Sequence, residues 1–190
     1  LAFSQAIPIL RDARTMEPPV LLLGPGKRYH LFLSHVWSTG QDQCAVIKRQ
    51  LQLLLPGVVI FLDVDGAPPP PTCSSPFATQ PPLANLRPPH IPLATPAAAD
   101  LQDIGDLEGY VRATGVMLFF LSKHYFTSRN CLREVKATID EKLPLVLVHE
   151  QQEEKGGGPL EMMRTECRKE MRPYVFDERA PIAWHRIAHY

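Results

Sequence analysis

The sequence predicts an α/β protein built on a parallel β-sheet that is covered by helices on both faces. Three observations lead there. Short apolar β-type runs alternate with segments of helical period along most of the chain. The runs are nearly continuous in apolar residues, as in strands buried on both sheet faces. Proline or glycine closes several of the elements.

Residues 1–28 carry no sustained period and are broken by Pro18, Pro19, Gly24, Pro25 and Gly26, so they read as a linker or poorly ordered lead-in. The first strand is predicted at 29–34 (YHLFLS). A helix follows at 41–55, with Val46, Ile47, Gln50, Leu51 and Leu54 on one broad face, and Pro56 and Gly57 end it. Residues 58–63 (VVIFLD) form a second strand. Residues 66–99 then hold 11 of the chain's 20 prolines and one formal charge, Arg87. Proline at that density forms neither helix nor central strand, and a disordered or polyproline-like excursion is expected. The α/β alternation resumes with a helix at 106–114, a strand at 116–121, a helix at 130–143 closed by Pro144, and a strand at 145–149. A charged, glycine-rich loop at 150–158, a helix at 160–171 and a short strand at 181–184 complete the pattern. Residues 186–190 start a further helix.

The 190 residues suffice for one domain with a real core, here 29–190 interrupted by 66–99. Lys plus Arg and Asp plus Glu are 20 each, so net charge gives no case for nucleic acid or an anionic membrane as partner. Cys44, Cys73, Cys131 and Cys167 form no C-x-x-C pair, which fits a reducing, cytoplasmic setting better than a disulfide framework or zinc site. The longest apolar runs are too short to span a bilayer, and no basic segment of signal-peptide type opens the chain. His185 and His189 lack a third ligand nearby, so no metal is expected; Gly24–Lys27 lacks the spacing of a phosphate loop.

In sheets of this kind ligands sit beyond the carboxyl ends of the strands. The candidate rim is therefore Ser34, His35 and Trp37 after the first strand, Asp63 and Asp65 after the second, Ser122 and Lys123 after the third, and the opening of the next helix. Each has an ordinary reading beside the functional one. Ser122 and Lys123 either line a site or open a loop. Trp37 either stacks on a ligand ring or packs over the sheet edge. His35 is either structural or catalytic. Asp63 and Asp65 are either paired acids or turn residues.

Three stretches together resemble a TIR (Toll/interleukin-1 receptor-like) domain: YHLFLSHVW at 29–37; FLDVD at 61–65, continued by DLQDIGDLEGY at 100–110; and LSKHYFTSRNCLREV at 121–135. The third is the most specific, since strand, Ser-Lys, loop and Cys-Leu-x-Glu keep their order. The resemblance covers roughly 29–149 without the insertion. It implies a flavodoxin-like, doubly wound parallel sheet of five strands that signals by homotypic assembly with other TIR domains. Many family members also cleave NAD+ at the nicotinamide–ribose bond, and their catalytic glutamate corresponds to Glu134. NAD+ is then substrate, and no cofactor is implied. Ser34, His35, Trp37, Ser122 and Lys123 fall where substrate would bind. Asp63, Asp65, Asp103 and Gly105 fall in the loop that mediates contacts between TIR domains.

Read from its own helix, Glu134 lies at the edge of a stripe marked by Leu132, Val135 and Ile139, neither fully buried nor fully outward. A carboxylate there either hydrogen-bonds ribose and stabilises oxocarbenium character, or is a solvated residue near a helix N-terminus. Three departures stand out. Asn130 occupies a position, four before the glutamate, that is often aromatic in family enzymes. The insertion at 66–99 is either a genuine extension or a retained intron, and the chain stops before the family's final helix. A non-catalytic scaffold and an inert truncated product remain the alternatives to an NAD+-cleaving enzyme.

Overall fold

The computed structural model describes residues 9–62, 106–177 and 179–185. The chain divides into two units, Leu1–Asp65 with Asp106–Tyr190, and Gly66–Gly105. The second unit, the start of the lead-in, and the helix expected from 186 lie outside the described residues, as do Asp63, Asp65, Asp103 and Gly105.

Nine principal elements follow in order: β1 (Tyr29–Ser34), α1 (Trp37–Leu54), β2 (Ile60–Leu62), α2 (Leu107–Arg112), β3 (Thr114–Leu121), α3 (Arg129–Asp140), β4 (Leu145–Glu150), α4 (Leu160–Glu166) and β5 (Ile182–Trp184). The five strands form one sheet in the order β2-β1-β3-β4-β5. Every pairing is parallel. The expected α/β class is therefore observed, with a strand order consistent with the flavodoxin-like arrangement. Strand order reverses between β1 and β3, which makes their carboxyl ends the natural crevice.

Alternation along β1 divides its side chains between two layers. Leu31 and Leu33 pack with Cys44, Ile47 and Leu51 of α1, together with Ile60, Leu62, Leu118, Phe120 and Val148. Phe32 meets Phe61, which stacks on Tyr110 of α2 at 4.6 Å between ring centroids. Ser34 turns towards α3, with consequences described below. The α2 and α3 helices are tied by Arg133, whose Nε and Nη2 each donate to a Glu108 carboxylate oxygen at 2.8 Å. That fork holds the Glu108 carboxyl down at about 2.

Element ends differ from the sequence reading where the signals were local and weak. α1 begins at Trp37 rather than 41, because Val36 takes an extended conformation at the N-cap without a capping side chain. Gly40, inside the first turn, lets the helix close on the sheet: a Cβ there would lie 3.1 Å from both His35 Cβ and Phe120 Cδ1. α3 starts one residue early, at Arg129, since the Ser128 hydroxyl accepts from the Cys131 N–H at 3.4 Å. α4 stops at Glu166 instead of 171. The Arg172 guanidinium takes its terminal carbonyls, with Nε donating to Cys167 O and Nη2 to Thr165 O, both at 2.8 Å. Residues 9–28 hold neither helix nor strand. Among the described residues, no helix is long and apolar enough to cross a membrane.

Candidate functional site

Three strand ends converge beside α1. The loop after β4 makes a single 3₁₀ turn, Glu153–Lys155, and leaves it through Gly156 at φ 84°. That left-handed φ is one glycine adopts freely. A Cβ on Gly156 would also lie 2.7 Å from Thr39 Cβ, so the loop rests directly on the first turn of α1. The loop after β3 joins both. Ser122 Oγ and Thr39 Oγ1 share a hydrogen bond at 2.7 Å, the Lys123 N–H donates to Gly156 O at 2.8 Å, and Lys123 Nζ stands 3.9 Å from Glu153 Oε2.

Between α1 and the β4 loop lies a cleft of about 480 Å³, walled by Trp37, Thr39, Asp42, Glu154, Lys155 and Gly156 among others. Trp37 is 41 % exposed. It stands on the wall of this cleft. The first turn of α1 carries no acidic residue. Ser122 and Lys123 are not among the residues that wall this cleft, and they tie the loop after β3 to Thr39 and to the β4 loop.

Beneath the rim lies a second, buried polar group. Ser34 Oγ donates to Glu134 Oε2 and is also hydrogen-bonded to the Tyr125 hydroxyl. Cys131 Sγ donates to His35 O at 3.4 Å. Glu134 is only 4 % exposed, which corrects the expectation of an edge position. The buried face of α3 is Cys131, Glu134, Val135, Ala137 and Thr138, while Leu132 and Ile139 are half-buried. The stripe is thus centred beside Glu134, on the side away from Leu132. Apolar residues alone misplace it, because a polar residue with a partner can be buried too.

His35 is buried at the end of β1. Its Nδ1 donates to Leu33 O at 3.3 Å, and Nε2 has no hydrogen-bond partner. Burial lowers its pKa below the usual 6.5, against the opposing pull of the Leu33 carbonyl. The unfolded chain therefore binds a proton that the folded one resists. Stability should be highest above pH 6.5 and should fall as pH drops from there towards the folded pKa. In His35→Phe this part of the pH dependence of urea unfolding should disappear; an unchanged slope between pH 6.5 and 5 would refute the assignment.

The sequence reading named Ser34, His35, Trp37, Ser122, Lys123 and Glu134, and all six lie along this carboxyl edge, though in two layers. It missed Tyr125, Thr39 and Gly156. Two adjacent aromatics, Tyr125 and Phe126, in an otherwise polar loop were the available signal, since a buried phenol needs a partner. Among the described residues, no group of three or more His, Cys, Asp or Glu side chains is gathered to hold a metal ion. In comparisons with known proteins, no family model and no curated protein matches this sequence.

Proposed function

We propose that this chain is a TIR-type signalling domain, acting by homotypic assembly with other TIR domains and cleaving NAD+ between nicotinamide and ribose. One observation carries the reading. Ser34 and Glu134, 100 positions apart and in two different TIR-like stretches, meet in a hydrogen bond at the carboxyl edge of β1, where the strand order reverses. A fortuitous resemblance has no reason to join its motifs at the one place where doubly wound sheets bind ligands.

In this reading the cleft receives the dinucleotide, with a flat ring against Trp37. The Glu134 carboxylate stabilises the positive charge that develops on the ribose as neutral nicotinamide leaves. Water adds to the ribose carbon and loses its proton, giving ADP-ribose. Assembly brings the ribose and the buried carboxylate together. Asp63, Asp65, Asp103 and Gly105 are proposed to belong to the assembling loop, and the setting is proposed to be cytoplasmic.

A specific observation favours a second reading. Glu134 is buried, held by Ser34, and is not among the residues that wall the cleft, and Asn130 offers no aromatic surface. A scaffold that assembles without chemistry accounts for both. The test is nicotinamide release from NAD+ by the full chain crowded on beads, beside Glu134→Gln, with self-association followed by light scattering. Release that drops at least a hundredfold in the variant supports the enzyme, as loss of a transition-state stabiliser does. Self-association without release leaves the scaffold. Neither, from a folded chain, sinks the TIR reading.

A further inference from the structure

Tyr125 is a fully buried tyrosine that the proposed chemistry does not use. Its ring is fixed by Phe119 at 5.6 Å and by Phe126, edge-on, at 5.0 Å. Its hydroxyl reaches Ser34 Oγ, and Ser34 Oγ reaches Glu134 Oε2. A hydrogen count sets the direction of this chain. An ionised carboxylate only accepts, and a serine hydroxyl has one hydrogen to give. Ser34 gives it to Glu134, so the Tyr125 phenol must donate to Ser34. Burial, with Cys131 and Glu134 nearby, pushes the phenol well above its ordinary pKa, so the hydrogen stays on Tyr125. The chain ends on the Glu134 carboxyl oxygen, and hydrogen bonds in such a series polarise and strengthen one another.

We propose that Tyr125, acting through Ser34, is the positioning residue that fixes the Glu134 carboxylate as a hydrogen-bond acceptor; this rests on the NAD+-cleaving reading above. Tyr125 touches no substrate. It sets the strength of the Ser34 donor on Oε2, while the 3₁₀ turn Tyr125–Thr127 and β1 hold the two hydroxyls in place.

The test compares the full chain with Tyr125→Phe and Ser34→Ala. Tyr125→Phe keeps the ring and its packing and removes only the hydroxyl. The first readout is nicotinamide release against NAD+ concentration and pH. Tyr125→Phe is expected to lower kcat about tenfold at unchanged KM, and to move the acidic limb of the rate profile to higher pH. Ser34→Ala should do the same more strongly, and the double variant should be no worse than Ser34→Ala. The second readout needs no activity. With glutamate labelled at the side-chain carboxyl carbon, the resonance missing from Glu134→Gln identifies Glu134, and its titration is followed in each protein. The proposal expects it to bind protons about tenfold more tightly in Tyr125→Phe. Coincident titrations of wild type and Tyr125→Phe, with melting temperatures showing both folded, overturn it. An inactive wild type would instead remove the NAD+ reading, and the titration alone would decide whether Tyr125 governs Glu134.

Discussion

Replacing Phe120 with alanine is expected to cost the fold about 3–5 kcal/mol, the range for a large aromatic deleted from a core. Several features place it high in that range. Phe120 is fully buried in β3, the central strand of the sheet. Its ring meets Trp184 of β5 edge-on at 6.1 Å and belongs to the layer that includes Leu33, Cys44 and Ile47. On the helix side Gly40 lies against the ring, since a Cβ there would come within 3.1 Å of Phe120 Cδ1, and it has no side chain to move into a void. The cavity would therefore stay open, and the cost rises with the volume left behind. Urea unfolding of the full chain measures it. A loss under about 1 kcal/mol would mean that α1 does not close on this ring as described.

Gly157→Ala should also destabilise the fold, by a different route. A Cβ at this position would run into Glu150 O and lie 2.7 Å from Gln152 O and 2.8 Å from Gln152 N. All three are backbone atoms, so no side chain can swing aside. The turn would have to give up the hydrogen bond from the Gly157 N–H to Gln152 O, 2.8 Å long, and with it the support beneath Glu154 and Lys155 on the cleft wall. A loss of about 1–3 kcal/mol is expected, as for overpacking elsewhere. Under the proposed function, affinity for NAD+ should fall with it, because Glu154, Lys155 and Gly156 of this loop line the cleft. Gly24→Ala is the contrast: its nearest neighbour is Lys27 Cγ at 3.8 Å, an ordinary contact, and stability should hold within about 0.5 kcal/mol. Equal melting temperatures for the Gly157 and Gly24 variants would contradict the loop geometry.

Strands were legible in this sequence because burial on both faces writes itself into unbroken apolar runs. Thr114–Leu121 and Leu145–Glu150 were found within two residues for that reason. The α1 start was not legible, since Val36 offers no capping side chain to announce it. The site was half legible. Position along the chain placed Ser34, Trp37 and Glu134 at one sheet edge, because parallel topology puts consecutive strand ends together. Depth was not legible. Whether a glutamate on a helix faces solvent or core depends on a partner, and its partner here is 100 positions away. Tyr125 escaped for the same reason, its hydroxyl being matched to β1 and not to any neighbour in sequence.

Three of the helices also carry a thiol on their inner side. Cys44 of α1, Cys131 of α3 and Cys167 at the end of α4 are all buried, and burial pushes Cys44 upward and Cys167 to about 11, away from reactive thiolate. An alkylating reagent can reach each sulfur only when the packing around it opens. In a Cys73→Ser background the protein therefore carries three native clocks, one per layer segment, and pulse-labelling would time their separate opening. Under the proposed function, adding NAD+ or crowding the chain is expected to slow those clocks unevenly, and the pattern would reveal which helices assembly clamps without any engineered probe.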